Sequence, residues 1–90
     1  MSPRYIRNPA IHARAIDTDT FLVDDGDQNI YHLNNLGSAF WRLLAEPTDV
    51  DAAAHVFALA FPDMDKADIQ RDLMALTKEL SDLALIQELD

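Results

Sequence analysis

Tyr31-His32-Leu33-Asn34-Asn35-Leu36-Gly37-Ser38-Ala39-Phe40-Trp41 changes its apolar period partway along. Ile30 to Leu33 alternates like a strand, whereas Leu36 to Trp41 takes up helical spacing, so a strand feeds straight into a helix. Upstream, Asp25-Gly26 lies between two short apolar runs, which predicts a hairpin turn. A hairpin followed at once by helices leaves the last strand open to pairing. That open edge is the first place to look for function.

Working outward, Thr20 to Asp24 and Gln28 to Leu33 read as the two hairpin strands, and His12 to Ile16 as a short strand before them. With Phe21 and Val23 facing the core, Tyr31 and Leu33 join them across the ladder, and Ile30, His32 and Asn34 point away. The inverse assignment fits the pattern as well. Residues 1–11 contain Pro3 and Pro9 and have no clean period, so they read as a flexible N-terminal arm. Residues 12–87 form a single domain and 88–90 a tail.

Asn34 or Asn35 is placed to cap the first helix, which carries Leu36, Phe40, Leu43 and Leu44 as its apolar stripe with Trp41 at the boundary. Glu46-Pro47 ends it. Thr48 and Asp51 have capping-box spacing for a second helix that runs to Phe61 and buries Val50, Ala54, Phe57 and Phe61. After Pro62-Asp63, Asp65 and Asp68 open a third helix in the same way. Its core stripe is Ile69, Leu73, Leu76, Leu80 and Leu83. The expected fold is α+β, winged helix-turn-helix-like, with a three-stranded antiparallel sheet packed against three helices.

Chemistry-bearing patterns are few. Ninety residues make one small domain, and the absence of cysteine excludes disulfides, thiolate metal sites and cysteine nucleophiles. The three histidines, His12, His32 and His55, have no ligand partner at helical spacing, so no metal is expected. Asp17, Asp19, Asp24, Asp25 and Asp27 lack the spaced ligands of a calcium loop and read as solvated turn carboxylates. With only Gly26 and Gly37 there is no phosphate loop or dinucleotide fingerprint, and no serine lies in a nucleophile elbow. No catalytic residue and no cofactor are expected. A net charge of −9 argues against nucleic acid as a partner. There is neither a secretory signal nor a membrane span, and a cytoplasmic location is the expectation.

The Leu22-Val23 strand, the Asp-Gly hairpin, Tyr31-His32-Leu33-Asn34 and the run Leu36 to Trp41 into Leu43-Leu44 together resemble the PqqD family. These are the small recognition elements for ribosomally synthesised and post-translationally modified peptides. Asp72 through Leu80 and then Leu83-Ala84-Leu85-Ile86 continue the likeness, which spans about residues 10 to 87. Relatives often carry a glycine after the first helix, where this chain has Ala45-Glu46-Pro47-Thr48.

The resemblance implies a non-catalytic peptide chaperone. Such a protein binds the leader region of a precursor peptide and delivers it to a modifying enzyme, whether a radical SAM enzyme, a protease or a cyclase. Quinone-cofactor, lasso-peptide and radical-SAM pathways all use such domains. An exposed strand accepts a peptide as a further antiparallel strand, and alternate side chains dock beside it. Asn29, Ile30, Tyr31, His32 and Leu33 are the expected ladder, with Arg71, Met74 and Lys78 on the third helix lining the other side. There the two cations would meet acidic leader residues. The protein is expected as a monomer or weak homodimer; a self-associating adaptor and a winged-helix DNA-binding protein are the alternatives.

Overall fold

The computed structural model describes residues 3–24 and 29–89. In chain order its elements are β1 (Arg4–Arg7), β2 (Ile11–Ile16), β3 (Asp19–Asp24), β4 (Asn29–Leu33), α1 (Asn35–Leu43), β5 (Thr48–Asp49), α2 (Val50–Ala60), α3 (Lys66–Asp82) and β6 (Ile86–Leu89). The expected sheet is the antiparallel set β2-β3-β4. The Asp25-Gly26 turn lies outside the described residues.

Four residues separate the paired Asp24 and Asn29, and that spacing fixes the parity of the hairpin: Leu22 lies opposite Tyr31, and Thr20 opposite Leu33. Directly opposed residues share a face. Thr20, Leu22 and Leu33 are buried and Tyr31 is half-buried beside them. Phe21, Val23, Ile30 and His32 therefore occupy the outer face, where the rings of Phe21 and His32 lie 5.0 Å apart. This corrects the expectation for Phe21 and Val23. Two adjacent apolar phases exist in Phe21-Leu22-Val23, and the hairpin register selects the one containing Leu22.

A second sheet, β5-β1-β6, was not legible as such. The expected arm over residues 1–11 contains β1, which pairs antiparallel with β5 on one side and β6 on the other. The expected tail likewise falls largely within β6. Pro3 and Pro9 flank β1 rather than interrupt it, and its partners lie far away in sequence, so no local pattern announces the pairing. Asn8 clasps the junction: its side-chain amide donates to the Ala84 carbonyl at 3.0 Å, and its backbone N–H to Leu85 at 3.0 Å. Ala84 takes a left-handed φ of 60°, turning the chain from α3 into β6.

The helices meet at Phe40, Leu44, Ile69, Leu73 and Leu80, all without solvent exposure. Asn34 caps α1, its side-chain oxygen accepting from the Gly37 N–H at 2.9 Å. Trp41 is buried rather than at the boundary, with the Arg7 guanidinium 5.7 Å from its ring centre. The second cap is Asp49, which accepts from the Ala52 N–H at 2.6 Å. Thr48, expected in that role, instead donates to the Leu43 carbonyl at 2.8 Å and so closes the end of α1. Asp65 caps α3 as expected, accepting from Ala67 at 3.2 Å. Leu83 follows the last helical residue and is half exposed, while Leu85 and Ile86 turn inward in its place.

Candidate functional site

One side of β4 pairs with β3, and no described strand lies along its other side. Backbone donors and acceptors on that side are free to form a further ladder. Asn29, Ile30 and His32 are exposed, Ile30 at 68%, and Tyr31 is half-buried. The strand stops where the Leu33 carbonyl accepts the Ser38 hydroxyl at 3.2 Å, which ties it to α1. On the outer face His32 Nε2 lies 2.8 Å from an Asp19 carboxylate oxygen.

Beyond the free edge runs α3, with one depression past its C-terminal end and another along it. One, of about 230 Å³, is bounded by Leu22, Asn29 to Tyr31, Leu83 and Leu85. The other, of about 390 Å³, lies between the first turn of α1 and the Asp72, Leu76 and Glu79 stripe of α3. Tyr31 brings β4 close to that stripe, its phenol lying near the Glu79 carboxylate. Burial first, then the neighbouring Glu79 carboxylate, pushes the phenol up from 10.0 to about 12.

The structure gathers Asn29 to Leu33 on one edge strand as expected, but it puts the helix residues elsewhere. Met74 and Lys78 line a separate depression of about 470 Å³ with Tyr5, Val50 and Thr77. Arg71 holds Asp68 one turn away at 2.5 Å, and Lys78 lies 4.0 Å from Asp82. Both cations are thus engaged along their own helix, and none of the three residues lines the depressions beside β4. Asp72, Leu76, Glu79 and Leu83, none of them among the expected site residues, border those depressions instead. Their spacings of four, three and four residues mark one flank of the buried stripe, whereas Met74 and Lys78 mark the other. Helical periodicity exposes both flanks equally, and only the packing of α3 against the sheet decides between them.

Among the described residues no group of three or more histidines and carboxylates could hold a metal ion. No helix among them is long and apolar enough to cross a membrane.

Residues 19–86 match the family described as coenzyme PQQ synthesis protein D (PqqD). Among solved structures, TbiB1 in complex with the TbiA(beta) leader peptide superposes with a TM-score of 0.79 at 21% identity, covering 91% of this chain and 94% of that one. Lasso peptide synthetase B1 complexed with the leader peptide gives 0.77 at 19% identity, covering 92% and 96%. At these identities the likeness is one of fold. No curated protein sequence matches the chain.

Proposed function

The chain belongs to the PqqD family, and from that premise we propose that it is a non-catalytic chaperone that captures the leader region of a ribosomally made precursor peptide. The leader adds as an antiparallel strand to β4 and is presented to a modifying enzyme. The observation that carries this reading is the edge of β4 along which no described strand pairs, with one depression beside it and another between α1 and α3 just past its end. It is supported by the fold shared with two proteins solved with leader peptides bound.

Main-chain hydrogen bonds along Asn29 to Leu33 give affinity without regard to sequence, and side chains on alternate peptide residues give selectivity. Those on the inner side of the added strand meet Tyr31, Leu76 and Leu83. Those on the other side run beside Ile30 and His32. A disordered leader loses conformational entropy on docking, so binding is moderate and reversible, as release to an enzyme requires. The partner enzyme is one that acts on peptides, a radical SAM enzyme, protease or cyclase. The setting is the cytoplasm, where ribosomal precursors are made.

Calorimetric titration with the leader region of a short precursor encoded beside this gene tests the proposal. One-to-one binding that Ile30→Pro abolishes in a folded variant is the expected result. Binding unaffected by that change contradicts strand addition at β4.

A further inference from the structure

The charge of the groove says what kind of leader it selects. Asp72 and Glu79 on α3 line the depression at the first turn of α1, just past the end of β4, and Asp24 lines the one beside β4 itself. Among the described residues no lysine, arginine or histidine lines either one. Of the cations on α3, Lys78 lines the depression on the other flank and lies 4.0 Å from Asp82, and Arg71 is held by Asp68. The Glu79 carboxylate lies near enough to Tyr31 of β4 to raise its phenol, which brings this charge close to the strand edge.

Resting on the proposed leader capture, we infer that the groove selects a leader carrying a lysine or arginine. That residue faces Asp72 and Glu79 from the strand added to β4, and apolar neighbours lie against Leu22, Leu83 and Leu85. This reverses the expectation that Arg71 and Lys78 receive an acidic leader. An acidic side chain in this groove would meet the like charges of Asp72 and Glu79, so the acidic lining also rejects wrong peptides. A basic one meets charges of opposite sign, and the whole-chain charge of −9 raises its rate of encounter.

Selection of a displayed random dodecapeptide library on the immobilised protein tests this, in parallel with Asp72→Asn/Glu79→Gln. Both side chains are exposed, so the double variant retains the fold; circular dichroism verifies this. On the wild type, enriched peptides carry Lys or Arg over Asp or Glu at one fixed position beside apolar residues. Their affinity falls about three- to fivefold in the variant, as for exposed ion pairs. It also falls as salt rises from about 0.05 to 0.5 M. Enriched peptides that perturb the β4 amides but show no cation preference, or an equal one in the variant, overturn the charge inference and leave leader capture standing. Enrichment of no peptide, or only of peptides that leave β4 unperturbed, overturns both.

Discussion

Gly37 shows how closely α1 approaches the strand that precedes it. A β-carbon there would lie 3.2 Å from Leu33 Cδ2, 3.3 Å from Leu33 Cβ and 3.4 Å from the capping oxygen of Asn34. Leu33 is buried and cannot swing away. Gly37→Ala gains helix propensity of about 1 kcal/mol but overpacks a buried contact at about 1–3 kcal/mol. Urea denaturation should therefore show a net loss of about 1 kcal/mol, and a stabilised variant would contradict the close approach. Tyr31 offers a second test. Its phenol holds its proton to about pH 12 in the folded protein against about 10 when unfolded, so the associated stability is complete below pH 10 and is lost between 10 and 12. Tyr5 shifts in the same direction, through burial and then Glu88. Absorbance titration at the tyrosinate band should place both phenols above 10, and Tyr31→Phe should remove the later step. At this scale the cap at Asp65, and the one at Asn34 as one of two candidates, were legible because capping acts over a few residues. The phase of Phe21-Leu22-Val23 was not, because the register resides in the partner strand.

Elements with local patterns emerged from the sequence, and those held by distant partners did not. The leucine stripe of α3 and the break at Pro62-Asp63 are encoded within a single helix length. β1 depends on β5 and β6, which lie at the middle and the far end of the chain. Removing residues 1–7 unpairs both neighbours at once and leaves the Leu44 carbonyl without the Arg7 N–H. Each net backbone hydrogen bond contributes about 0.5–1.5 kcal/mol, so this truncation should cost several kcal/mol in urea. An unchanged midpoint would show β1 to be dispensable. A smaller effect is expected at α2. Asp49→Ala deletes the observed cap and should cost about 1 kcal/mol, whereas a cap at Thr48 would make that change nearly neutral.

For the molecule as a whole, the sequence disclosed a free strand edge but not the wall that faces it. The edge follows from a hairpin running directly into helices. The wall depends on which flank of α3 turns toward β4, and a helix with exposed polar residues on both flanks does not declare that. Asp72, Leu76 and Glu79 line a depression against the first turn of α1, and Met74 and Lys78 a surface shared with Tyr5 and Val50. In the proposed function, affinity and selectivity have separate sources: backbone pairing along β4 and side-chain recognition along α3. The most direct test is an amide NMR titration of the labelled protein with the leader of its neighbouring precursor. The account predicts shifts concentrated in residues 29–33 and around Asp72, Leu76 and Glu79, with residues near Met74 and Lys78 little changed. Shifts centred on Met74, Lys78 and Tyr5, with β4 silent, would contradict it.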